Sequence, residues 1–132
     1  MQDAPDPDEL LAAVAGYLRE QALPQLQGQA AFHARVAANA LDIVRRQLAL
    51  APGAEAAEAE RLRALLGTEG SLEQLNRLLC QRIASGAMGL HTPGLAAHLW
   101  RVTLDKLAVD QPGYETYRRL LPAPAAPDSK DQ

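Results

Sequence analysis

The chain has little of what staples, ligates or stacks. One cysteine, Cys80, occurs in 132 residues, so no internal disulfide can form. Cys80 falls on an expected helix, where a small packing residue is the simpler reading than a nucleophile. Positive charge is not in excess either: the formal net charge is -3 and the pI about 5.5. Nucleic acid needs a clustered cationic surface to neutralise phosphate, and an anionic membrane asks the same. No apolar run reaches the roughly 18 residues of a spanning helix. The opening "MQDAPDPDEL" is acidic and lacks the apolar stretch of a signal peptide. The expectation is a cytoplasmic, soluble protein with no nucleic-acid and no membrane partner.

What is abundant is alanine and leucine. Hydrophobic residues make up 48% of the chain and aromatics only 4%. Ala and Leu are strong helix formers with little β-branching. No run alternates with a period of two, so no sheet is expected and the fold class is all-α. The length suits one domain able to bury a core without disulfide or metal. A bundle of about five helices is expected over residues 6–121. The end, 122–132, "PAPAAPDSKDQ", has three prolines and no periodicity, which predicts a disordered tail.

Local signals place the helices. Asp6, Pro7 and Glu9 form a capping-box start, with Leu10, Leu11, Val14, Tyr17, Leu18 and Ala22 as the apolar face. A second helix is expected from about Gln29 to Ala51, its apolar arc covering half the circumference and suiting a central position. Pro52 and Gly53 are expected to break it. A third, from about Ala54 to Leu66, has acid first and base last; its alanine-rich side predicts the weakest packer. Ser71 and Gln74 start a fourth helix with a Leu72, Leu75, Leu79, Ile83 stripe. "SGAMGLHTPG" is read as a loop. Thr92 and Pro93 are expected to start the fifth helix, burying Ala96, Leu99, Trp100, Thr103, Leu104 and Leu107.

Catalytic and metal motifs are missing. The three histidines show no HExxH pattern and no carboxylate–histidine pairing. The glycine-containing loop matches neither GxxxxGK[ST] nor GxGxxG, and no strand precedes it. The expectation is a non-catalytic protein without metal or cofactor. Two polar sets remain. His33 falls inside the apolar arc of the second helix, where a neutral core histidine is the simpler reading and proton transfer the other. Arg35, Asn39, Asp42 and Arg46 stack along one edge of that helix, Asp42 and Arg46 in the favourable i,i+4 order. They read either as a solvated face or as a site for a partner or an anion. His98 and Arg101 lie on the expected outer side of the fifth helix, with Arg101 paired to Asp105. Tyr114 and Tyr117 in "YETYRRLL" suit either an interface arm or a segment folded back on the bundle.

Three stretches together resemble a small bacterial family: "DELLAAVAGYLREQALPQL", "AFHARVAANALDIVRRQL" and "LWRVTLDKLAVDQPGY". It is the domain-of-unknown-function family 6285, and the likeness covers most of residues 8–115. "FHARVAANAL" is the most specific element. Members typically sit beside a kinase of the aminoglycoside-phosphotransferase type and an acyl-CoA dehydrogenase-like protein. That setting implies catabolism of hydroxy acids as CoA thioesters, with this chain as a helper to the kinase. The family carries no established catalytic residues, so none transfer. The expected role is thus an accessory subunit with that kinase as protein partner. The alternatives are a free-standing acyl-CoA binder, or a homo-oligomer whose role is assembly.

Overall fold

The structure, a computed structural model, describes residues 4–121. The expected tail at 122–132 lies outside them. Five α-helices follow in order: α1 (Pro7–Tyr17), α2 (Gly28–Leu66), α3 (Leu72–Ala84), α4 (Leu95–Asp110) and α5 (Glu115–Leu120). No strand occurs among the described residues. The all-α class holds, and the capping boxes hold in detail. Asp6 accepts from the Glu9 amide and Glu9 from the Asp6 amide, both at 2.9 Å. Ser71 and Gln74 repeat the arrangement at α3. Such caps are legible locally because each satisfies amide groups that the first turn leaves unpaired.

The break at Pro52–Gly53 does not occur. The second and third expected helices are one helix of 39 residues, with Pro52 inside it. A proline in a helix interior removes one hydrogen bond and costs about 3 kcal/mol. Packing across the junction offsets that cost. Leu50, Ala51, Gly53 and Ala54 line grooves against Val102, Leu104, Asp105 and Val109 of α4, so α4 splints the helix where proline weakens it. The true stop is Gly67, whose φ of 65° is a left-handed turn that glycine adopts without strain.

The core sits at the C-terminal half of α2. Leu62, Leu66, Leu75, Leu79, Met88 and Leu95 form one buried cluster, drawn from α2, α3, the loop after it and the start of α4. The expected weakest packer therefore supplies two of the six residues of the cluster, Leu62 and Leu66. Its acidic residues lie mid-helix rather than at a helix start, Glu58 accepting from Asn76 at 2.8 Å, while Arg63 does fall in the last turn and pairs with Glu60 at 2.7 Å.

α4 shows the largest departure. It starts at Leu95, capped by Gly94 at a φ of 84°, not at Thr92–Pro93. Thr92 instead accepts from the Gly89 amide and braces the loop. Its inward side carries Leu95, His98 and Val109, while the expected buried pair Leu99 and Trp100 is 40% and 53% exposed. The buried side is turned well away from the expected arc, of which Leu104 and Leu107 stay half-buried. α4 runs antiparallel to α2, from Gly94 beside Leu65 to Val109 beside Arg46.

Candidate functional site

The N-terminal half of α2 is covered differently. α1 lies antiparallel along it, joined by a π-helical turn at Leu18–Ala22 and a 3-10 turn at Leu23–Gln25. The seam is narrow. Ala15 of α1 and Ala38 of α2 are buried at its centre, and these two alanines allow close approach of the helices. The large apolar residues point elsewhere. Leu10, Val14 and Tyr17 of α1 are 45%, 50% and 62% exposed. On α2, Phe32 and Val36 are about half exposed, and Ile43, Val44 and Leu48 are open as well. The arc read as a buried centre is therefore mostly a surface.

At 100° per residue, Phe32, Val36, Ala40 and Ile43 share one stripe of α2. Continued down the helix, it passes through Leu50, Ala54 and Arg61, residues that face α4. Among the described residues the same stripe is thus covered in one half of α2 and bare in the other, because α4 ends at Asp110.

The polar edge Arg35–Asn39–Asp42–Arg46 runs beside the bare stripe, and its members have separate tasks. Asp42 does not pair with Arg46. It accepts from Arg19 of α1 at 2.6 Å and lies 3.8 Å from Arg45. Asn39 accepts from the same Arg19 at 3.2 Å. The Arg19 hydrogen bond, with the charges of Arg19, Arg45 and Arg46, holds the Asp42 carboxyl below its usual range despite partial burial. Arg45 does the same for Asp8, in a two-pronged bridge of 2.7 and 3.0 Å. Arg46 turns to α4 and donates to the Val109 carbonyl at 2.6 Å, closing the exposed end of that helix. Arg35 is exposed and makes no ion pair among the described residues. Three of the four residues brace the helices, and Arg35 remains available. Arg19 and Arg45 were missed in the sequence because their partners lie 20 to 37 positions away, beyond the reach of i,i+4 spacing.

The histidines exchange the roles expected of them. His33 is exposed, its ring edge-on to Phe32 with centroids 5.6 Å apart. His98 is buried, 4% exposed, between α4 and α2. Burial, helped by the Arg61 charge and opposed by Glu58, pushes the His98 pKa down and favours the neutral ring. His98 Nδ1 and Arg61 Nε are enclosed without hydrogen-bond partners. An atom with no accessible surface cannot touch a ligand in this conformation, so both belong to the packing. Arg101 and Asp105 form the expected pair at 3.1 Å, and Arg61 approaches the same carboxylate at 3.5 Å.

Of the two tyrosines, Tyr117 is buried and Tyr114 half exposed. α5 folds back, so that Tyr117, Leu120 and Leu121 line a groove with Leu50, Gly53 and Ala57 of α2. No group of three or more potential metal ligands occurs among the described residues, and no helix there is long and apolar enough to cross a membrane. A groove between α2 and α4 is lined by Glu55, Glu58, Asp105 and Asp110 against one Lys106. Its acid balance repels phosphate.

Comparison with curated proteins and with solved structures finds no match. A family model does match, over residues 24–114, from the turn before α2 to the start of α5. α1 lies outside that match, although its residues contributed to the resemblance in sequence. The bare stripe of α2 and the bundle it continues fall within it, and the chain belongs to the family described as domain of unknown function DUF6285.

Proposed function

We propose that the chain is a non-catalytic accessory subunit of a phosphotransferase-fold kinase acting on hydroxyacyl-CoA in acid catabolism. One observation carries the docking part of this reading: the apolar stripe Phe32–Val36–Ala40–Ile43, bare where α4 ends and bordered by the uncommitted Arg35. Contiguous apolar surface with a polar rim is the usual composition of a protein-binding site. Phe32 and Arg35 are residue types that anchor interfaces. The partner's identity rests on the family resemblance, which implies a kinase of the aminoglycoside-phosphotransferase type.

A free-standing acyl-CoA site has less support. CoA carries several phosphates, and the groove between α2 and α4 presents four carboxylates to them. Arg46, a natural phosphate ligand, is engaged with the Val109 carbonyl.

Co-expression with such a kinase from the same genome tests the proposal. The two chains should co-purify and stay together through gel filtration at micromolar concentration. Ile43→Glu places a charge in the middle of the stripe and should abolish the complex, while Arg35→Ala should weaken it by a smaller factor. A kinase that is fully stable and active alone, and forms no complex with the wild-type chain, would refute the reading.

A further inference from the structure

The α1–α2 hairpin carries a second apolar face, which adjoins the stripe just assigned on the side away from Arg35. On α1, Leu10, Ala13, Val14 and Tyr17 share one side at helical spacing. On α2, His33, Ala37, Leu41, Val44 and Leu48 share another. The two helices are antiparallel, and the Arg19–Asp42 bridge closes the seam on one flank. Right-handed helices in that arrangement bring both sets together on the other flank, where they form one continuous surface. Leu41 is half-buried there, and Val44 and Leu48 are 45% and 51% exposed.

We infer that this face is where a second copy of the chain binds, the two hairpins stacking into a four-helix bundle. The charge pattern selects the occupant. No Asp, Glu, Lys or Arg occurs among the residues of this face, and the hairpin's charges gather at the seam and on the opposite flank. A two-fold interface sets each surface against itself, so any charge at its centre would meet its own like. A face with none is compatible with its own image. The Phe32–Ile43 stripe, flanked by Arg35, is less suited to self-pairing.

The area is also sufficient. Covering the half-exposed Leu10, Val14, Tyr17, Val44 and Leu48 with the alanines between them would remove roughly 500–600 Å² per copy. The pair then reaches the 1,000 Å² or so that a specific interface needs. The chain's own described end is not the cover: Leu120 and Leu121 pack beside Leu50 and Gly53 on the α4 side. A hairpin this thin gains most from such a partner, because helices are stable in water chiefly through a packed apolar side.

Sedimentation equilibrium and light scattering on the full chain, from 1 to 100 μM, provide the test. The wild type should be a dimer at the upper end, with a thermal midpoint that rises with concentration, as mass action requires. Val44→Glu should give a monomer at every concentration, with helical circular dichroism kept and a midpoint independent of concentration. Val14→Gln, polar but uncharged, should weaken the dimer at least tenfold. Ile43→Glu, which tests kinase docking on the other stripe, should leave the dimer intact. A wild-type chain that is monomeric at 100 μM overturns the inference. So does a Val44→Glu chain that remains dimeric, or a dimer lost on Ile43→Glu but kept on Val44→Glu.

Discussion

One helix passes through two different environments. Below Pro52, α2 is clasped by α3 and α4, and Leu62 is wholly buried. Above it, beyond the contact of Arg46 with the end of α4, α2 is covered among the described residues by α1 and the turns that follow it; its buried residues there reduce to Ala38, and most of its large apolar side chains face outward. The half below Pro52 is the poorer in large apolar residues, with Leu62, Leu65 and Leu66 among alanines and charges, so the difference in burial comes from the neighbouring helices that cover it. The lower half holds the monomer together. The upper half carries apolar surface in excess of what the described residues bury, as expected of a part that meets others.

Substitutions can break this contrast. Leu62→Ala should have the largest effect, about 2–5 kcal/mol lost in chemical denaturation, because it empties a sealed site. Pro52→Ala should run the other way, raising stability by about 1–3 kcal/mol as the missing helix hydrogen bond is restored. No gain there would mean that the splint from α4 already removes the strain. Ser71→Ala, which deletes the α3 capping box, should cost about 1 kcal/mol.

Acid should separate the halves further. The His98 pKa is lowered in the fold, so the unfolded chain binds a proton more readily and stability falls as pH drops below about 6.5, the ordinary histidine value. Asp8 and Asp42 are also lowered. Their pairs support the fold above about pH 4 and weaken only as pH falls through the depressed carboxylate range. Hydrogen exchange followed from pH 7 to pH 3 should show α4 loosening before the α1–α2 seam; the reverse order would contradict this assignment. Phe32→Ala should be smallest, within about 0.5 kcal/mol for the isolated chain, where a buried phenylalanine would cost about 3–5. A larger loss would show that Phe32 is covered in solution.

The features legible in the sequence were the local ones. Asp6–Glu9 and Ser71–Gln74 announce helix starts because each box is complete within four residues. The Leu72–Leu75–Leu79 stripe announced the core side of α3, although Ile83 at its end is 40% exposed. The fate of Pro52 was not legible, since a proline's local penalty is set against packing from a helix some fifty residues away. Nor could the arc of α2 reveal which apolar residues the monomer hides: valine and isoleucine look the same in a core and in an interface. His33 and His98 exchanged places for the same reason. In the candidate site, the row Arg35–Asn39–Asp42–Arg46 was visible as a row, but the division between three braces and one uncommitted cation depended on Arg19 and Val109, distant in sequence.

The unbroken α2 is a rod of 39 residues, about 58 Å from end to end at 1.5 Å per residue. Splinted by α4 where Pro52 weakens it, such a rod carries displacement along its length. Whatever grips the tip at Phe32 therefore also steers the far end at Leu66, and a small tilt at one is magnified into a swing of several ångströms at the other.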